Sequence, residues 1–526
     1  MNALLLHPCI YLDVAGNFTD ALLVRDGVVV AIGDEARSSH DPSHEPTIEP
    51  PGACLFPALT DAHIHLWGLG QRVGLIQLQH TNSPDEILET IAAHPEGASL
   101  SGWIEAHGWD QHRWPDDQNL TRAMLDSVCP NVPVCLYRVD HHAAIVNSAA
   151  LLAAGVDRTT PDPEDGRFGR DADGELDGLL VDGAITRVTK YIPKEDDREL
   201  AQIFTDRAMM LREFGVTCAH MAWTSVYGAR MARSLHERGE LPIRTLCMVD
   251  CRDEELADLI EEGPWRDERA ELSVACIKFF ADGAMGSRGA LMESPYKDGT
   301  TGIAVTSAKV LTERIPELMQ NGWQVAAHAI GDLGGKNVLD AYELAGEQAR
   351  RDTRPRLEHA QIVREEDFER YEQLGVIASM QPIHFYSDSP WASRVIHDDQ
   401  LARLYCWRSL DEKTILAGGS DFPIDDPNPW HGIATFITRT NAAGGVIHPE
   451  QAISRQAALA AYTEGAAFAA HWEHQLGKLE VGFQADVIAL EHDPFTASAE
   501  QIWDMQVLHT FAGFDPASWV LSSSEE

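Results

Sequence analysis

Two histidines close an apolar run, Phe56-Pro-Ala-Leu-Thr-Asp-Ala-His63-Ile-His65. Read as a strand, the run alternates its side chains between faces, so His63 and His65 point the same way at its end. Imidazoles converging at a strand terminus can grip a divalent transition metal. Taken alone, in a chain with 23 histidines, the pair reads first as ordinary solvated or hydrogen-bonded side chains. Four later apolar runs change that, each ending in a potential ligand: Leu272 to Lys278, Trp323 to His328, Arg356 to His359 and Ile415 to Asp421. Imidazoles joined by a carboxylate suit zinc, whereas an oxygen-preferring ion such as magnesium would not select four histidines. Six positions are too many for one tetrahedral ion and match two ions sharing a bridge. Lys278 is the odd member. An ammonium beside divalent metal is repelled, so this lysine must lose its charge or be modified; a neutral or salt-bridged lysine beside a single ion remains open.

The ligands must be positioned by the elements that carry them. Strand-like runs are read at 55–63, 215–222, 243–250, 272–280, 323–329, 355–360, 375–382 and 414–421, with helix-like stretches such as Gly334 to Arg350 between them. Strands alternating with helices predict a parallel sheet, and eight of them close a (β/α)8 barrel of the TIM type. The candidate ligands then fall at the carboxyl ends of strands one, four, five, six and eight, the face where such barrels gather catalytic groups. The fold class is therefore α/β. Residues 56–67 and 196–474 are assigned to the barrel, with Arg198 to Phe214 as the helix leading into strand two. About 130 residues, 68–195, exceed any ordinary βα loop and read as a large insertion domain after strand one, a lid over the site. Short strands at both termini, with the hairpin signal Asp26-Gly27, assign 1–55 and 475–526 to one composite small β domain. Ser522 to Glu526 reads as a frayed tail.

Charge and composition narrow the setting. The chain has 526 residues, with 82 acidic against 41 basic side chains and a net charge of −41. Such a surface repels nucleic acid and anionic membranes, so neither is expected as a partner. No apolar run reaches the ~20 residues of a membrane span. The start of the chain lacks a basic segment followed by a long apolar one, and nine cysteines without paired spacing read as buried hydrophobes in a reducing, cytoplasmic compartment.

In combination, the motifs resemble the amidohydrolase superfamily, specifically amidohydrolase family 3 with the N-substituted formamide deformylases. They are His63-Ile-His65, Lys278 with Ala281-Asp-Gly-Ala-Met-Gly-Ser-Arg288, His328-Ala-Ile-Gly-Asp332, Glu358-His359 and Gly419-Ser-Asp421-Phe-Pro423. Gly108-Trp-Asp110, Arg138-Val-Asp-His-His142, Arg170-Asp-Ala-Asp-Gly174, Ser379-Met-Gln-Pro382 and Gly477-Lys-Leu-Glu-Val-Gly482 extend the likeness over nearly the whole chain. One departure is Asp140-His141-His142, where the family often has Asp-Gly-His. The resemblance implies that the composite terminal domain is a β-sandwich and that the protein is a homodimer. It also implies that Lys278 is carboxylated and bridges two zinc ions. His63, His65 and Asp421 are then expected on one ion and His328 and His359 on the other.

Such a centre predicts hydrolysis of an amide, N-substituted formamide or N-acyl C–N bond in a small-molecule substrate. Asp421 is expected to take the proton from the attacking water and pass it to the leaving nitrogen. His142 is the candidate for the carbonyl oxygen. Trp109, Asp110, Arg288 and His384 are candidates for the substrate pocket, although Trp109 could be packing and Arg288 could tie down its own loop. His220 is expected behind the ligands. Two other readings stand beside this one: a single-metal deaminase or cyclic-amide hydrolase, which Lys278 argues against, and a silent binding relative, which the filled ligand positions argue against.

Overall fold

The computed structural model describes residues 2–66, 76–93, 102–114, 119–192 and 197–520. The boundaries assigned at 67/68 and 195/196, and the tail from Ser522, lie outside the described residues.

Eight strands run parallel, each paired with the next: Leu59–Ile64, Val216–Thr224, Arg244–Asp250, Leu272–Phe280, Gln324–Ala329, Arg356–His359, Ile377–Met380 and Leu416–Gly418. They are buried along almost their whole length, which is why the sequence shows continuous apolar runs instead of alternation. Serines start the helices between them: Ser225 accepts from the Gly228 amide at 3.0 Å and Ser307 from Val310 at 3.4 Å. The ladder pairs Phe280 with His328 and Ala329 with His359, so the carboxyl ends of strands four, five and six lie side by side.

Among the described residues, no ladder joins the eighth strand to the first. Instead the seam is closed just beyond the strand, where the Asp421 amide donates to the His63 carbonyl at 2.7 Å and the His65 amide to the Phe422 carbonyl at 2.8 Å. Asp61, fully buried, accepts the Ser420 hydroxyl at 2.5 Å and the amides of Ser420 and His63 at 3.1 and 3.0 Å. Gly419 is required there, because a Cβ on it would stand 2.5 Å from the His63 nitrogen.

The apolar run expected as one strand over 55–63 is two. Cys54–Pro57 pairs antiparallel with Val487–Leu490 and belongs to the terminal sheet, and the barrel strand begins only at Leu59. The run is apolar throughout because both sheets bury it, so hydrophobicity alone marks no break. The terminal sheet orders Val507–Phe511, Val487–Leu490, Cys54–Pro57, Ala3–Tyr11, Phe18–Arg25 and Val28–Ile32, with Thr47–Ile48 alongside Ala3–Tyr11. Asp26 and Gly27 turn its hairpin with φ of 49° and 77°. Buried Arg244, at the start of barrel strand three, grips Asp486 of this sheet through Nε at 2.7 Å and Nη2 at 3.1 Å.

Between barrel strands one and two lies a six-stranded mixed sheet: Gly166–Arg170, Leu176–Asp182, Ala143–Val146, Val134–Arg138, Ile104–Trp109 and Ile76–Gln77. Its strands alternate between two small cores, with Val134 and Leu136 in one and Cys135 and Tyr137 in the other. The helix expected over Arg198 to Phe214 spans Asp197–Glu213. No helix among the described residues is long and apolar enough to cross a membrane.

Candidate active site

One cavity of about 1440 Å³ opens at the carboxyl ends of the barrel strands, walled on its other side by the inserted sheet. His63, His65, Lys278, His328, His359, Asp421, His142, Asp110 and His384 all line it. Nε2 of His63 and Nε2 of His65 converge on one oxygen of Asp421, at 3.3 and 2.7 Å. The His359 ring centroid lies 4.7 Å from that of His63 and 4.4 Å from that of His328. His384, on the helix Pro382–Val395, stacks parallel to His359 at 5.9 Å and places Nε2 at 3.6 Å from the second Asp421 oxygen.

Buried networks hold these groups. Glu358 accepts from His63 Nδ1 at 2.5 Å, which turns Nε2 toward Asp421. Arg356 grips Glu358 at 2.9 Å and also reaches His220 Nδ1 at 3.0 Å, the Ala62 carbonyl at 2.7 Å and Ser379 Oγ at 3.0 Å. Behind His328, Asp282 accepts the amides of Leu291, Ile330 and Gly331 at 2.8, 3.0 and 2.8 Å. His359 and Asp421 sit at φ of 72° and 60°. Left-handed backbone at a non-glycine residue costs of order 1–3 kcal/mol, a strain typical of ligand clamps.

Electrostatics follow from burial. Burial opposes the charged form of Asp421, but His63 and His65 overcome it and hold the carboxyl well below its ordinary range. Burial keeps His65, His328 and His359 neutral by pushing their pKa values down. It also lowers Lys278 to about 8, bringing the free amine within reach near neutrality. Lys278 Nζ, His65 Nδ1 and His359 Nδ1 are buried with no hydrogen-bond partner among the described residues. Orphaned buried groups cost about 1–3 kcal/mol each. Neutral imidazole nitrogens, an ionised carboxylate and an unpartnered amine together form a donor set that fits divalent metal.

The other candidates separate. His142 Nδ1 donates to Asp182 at 2.6 Å, and its ring faces that of His328 at 5.0 Å. Burial would lower the pKa of His142, but Asp182 more than offsets it and the net shift is upward. His141 beside it has φ of 57°, which explains a glycine preference at that position. Asp110 receives Arg138 Nη2 at 2.6 Å, while Arg138 Nη1 takes Asp140 at 2.5 Å. Trp109 is not a wall of the main cavity: it packs on Trp114 and donates its indole N–H to the Leu136 carbonyl at 2.9 Å. Arg288 is also away from it, paired with Asp298 at 3.2 Å and with the Gly286 carbonyl of its own loop at 3.1 Å. Both line a side hollow of about 300 Å³.

A family model described as the amidohydrolase family matches residues 48–513. The chain belongs to the amidohydrolase family. YtcJ of Bacillus subtilis (strain 168), named as an amidohydrolase, is 32% identical over 511 residues, covering 94% of this chain and 95% of its own. The N-substituted formamide deformylase of Arthrobacter pascens is 26% identical over 522 residues, 95% of each chain. Among solved structures, an uncharacterized metal-dependent hydrolase from Pyrococcus horikoshii OT3 superposes with a TM-score of 0.78 at 25% identity, covering 95% of this chain and 99% of that one.

Several residues of this amidohydrolase that shape the site have no role in the sequence reading: Asp61, Asp182, Asp282 and Arg356. Each acts on a partner far along the chain or through backbone amides, as Asp61 does across 359 residues to Ser420. A buried acid inside an apolar strand run is the one local signal, and Asp61 carries it.

Proposed function

We propose that this amidohydrolase is a metal-dependent hydrolase of a carbon–nitrogen bond in an amide, N-substituted formamide or N-acyl compound. The observation that carries the reading is the convergence of His63 and His65 on one Asp421 oxygen beside a buried, unpartnered lysine nitrogen. His63, His65 and Asp421 would hold one ion and His328 and His359 a second, with zinc the fitting element. Lys278 would bridge them as a carbamate. That modification would form a bond between Nζ of the neutral amine and the carbon of carbon dioxide and release one proton, leaving an anionic ligand where an ammonium would be repelled.

When bound, such a metal supplies Lewis acidity, bringing the pKa of water to about 7 and polarising a carbonyl. Asp421 then accepts the proton of the attacking water and returns it to the leaving nitrogen. His142 points toward the same end of the cavity with Nδ1–H committed to Asp182. The upward shift of its pKa favours the doubly protonated ring, whose Nε2–H would serve the carbonyl oxygen as negative charge grows there. Glu358 and Arg356 keep His63 in one tautomer.

The test is metal content per chain in protein purified without chelator, paired with Lys278→Ala. Near two zinc ions, falling in the variant, with turnover in an amide screen, is expected. One ion, indifferent to Lys278, would bring the single-metal deaminase reading forward.

A further inference from the structure

Arg252 follows barrel strand three and lies on the cavity wall. Its guanidinium is fixed with unusual completeness for a group 36% exposed. Nε and Nη2 both bind the Asp250 carboxylate at 3.0 Å, and the Arg252 amide adds a bond to the same group at 2.9 Å. The Trp223 indole N–H donates to that carboxylate at 2.7 Å and locks its orientation. The guanidinium carbon stands 4.6 Å from the centre of the Phe280 ring and 5.9 Å from that of Trp223. Nη1 donates to no described residue. Asp165 contributes charge nearby but makes no hydrogen bond to it.

The same two rings abut the histidine cluster. Trp223 meets His65 edge-on at 6.4 Å between centroids, and Phe280 lies 5.9 Å from His328. One aromatic ring therefore separates the guanidinium from a candidate metal ligand. Strand three lies across an eight-strand barrel from strand seven, and the far wall has the opposite character. Asp388, after strand seven, accepts from the Tyr405 hydroxyl at 3.1 Å, and Asp425, after strand eight, from Ser387 Oγ at 2.7 Å. Neither forms an ion pair with a described cation, and burial raises the pKa of both carboxyls, that of Asp425 to about 7.

We propose that Arg252 is the anchor for an anionic group on the substrate, a carboxylate a few bonds from the scissile amide, which the guanidinium grips through Nη1. The proposal rests on the reading of the site as an amide hydrolase. A pre-oriented guanidinium offers Nη1 to a carboxylate at low entropic cost, because Asp250 and Phe280 have already fixed it. It makes the preferred substrate an N-acyl amino acid or a related amide acid, lying with its acid toward strand three and its other end toward strands seven and eight.

The experiment uses full-length, metal-loaded protein and matched substrates: N-acetyl amino acids, each against the N-acetyl alkylamine that lacks only the carboxylate. The wild type is expected to favour the acid by about tenfold to a hundredfold in kcat/KM, the range of one charge-assisted contact. Arg252→Met is expected to erase that ratio, and Arg252→Lys to restore part of it, because charge returns without the fork. Equal ratios in the wild type and Arg252→Met overturn the proposal. A parallel titration with an N-methanesulfonyl amino acid and its neutral analogue needs no turnover. If no amide is cleaved yet Arg252→Met weakens binding of the acid at least tenfold, the anchor stands and the amide reading falls. If Arg252→Met leaves that binding unchanged, the anchor falls whatever the enzyme cleaves.

Discussion

Around Asp421, two imidazole nitrogens already lie within 3.3 Å of one carboxylate oxygen. Around His328 and His359 the contacts are ring to ring, with centroids 4.4 Å apart, and the nearest acid to His328, Asp282, is 3.5 Å from Nε2 and spends its oxygens on three backbone amides. The first half is drawn together by its own anion. The second half shares that anion, since His359, His384 and Asp421 bring ligand atoms within 4.8 Å of one another, and its neighbour Lys278 is neutral or cationic as an amine. The difference teaches that folding alone brings His63 and His65 onto a carboxylate oxygen, whereas the acid nearest His328 is already spent on backbone amides.

The comparison can be broken outright at Asp421. Asp421→Asn should lower amide turnover by about 10⁴-fold, the upper range for loss of a proton-transfer group, and release metal from the assembled half. Metal analysis and kcat/KM read both effects. Lys278→Ala should instead empty the second half first. One ion per chain should remain, and turnover should fall by more than the roughly 100-fold upper cost of losing a supporting partner. Loss of both ions together would show that the halves are not separable. Glu358→Gln tests the support behind His63, with an expected 10–100-fold drop in metal affinity by competition with a chelator.

Smaller effects sharpen the picture. Ser420→Ala removes the hydroxyl donor to Asp61 while leaving its two amide donors, and should cost about 1–2 kcal/mol of unfolding free energy, read by urea titration. His142 gives a pH signature in chelated protein. Its pKa is raised in the fold, so its pairing with Asp182 stabilises fully below the ordinary histidine value and is lost as pH rises through the raised one. The stability gap between the wild type and His142→Gln should therefore shrink from pH 6 to pH 9.

Much of the scaffold is legible in the sequence, because barrel strands buried on both faces write themselves as apolar runs ending in polar residues. Each of the eight runs contains a barrel strand, and the terminal His, Lys and Asp residues face one cavity. What local pattern could not carry was allegiance between sheets: Cys54–Pro57 is as apolar as the strand it precedes, yet pairs with residues more than 400 positions away. Nor could it carry the use of a polar group. Arg288 satisfies its own loop, Trp109 fills a core, and Asp182 becomes the partner of His142 only because the strands Ala143–Val146 and Leu176–Asp182 pair antiparallel within the inserted sheet.

The seam between the first and eighth strands has a consequence for biosynthesis. Two histidines emerge early in translation, and the aspartate that joins them appears some 350 residues later, with Asp61 and Ser420 meeting across a separation of 359. During elongation the early histidines lack their carboxylate, so a nascent or truncated chain has no finished clamp with which to sequester metal. The clamp is thereby completed only when the last barrel strand closes against the first.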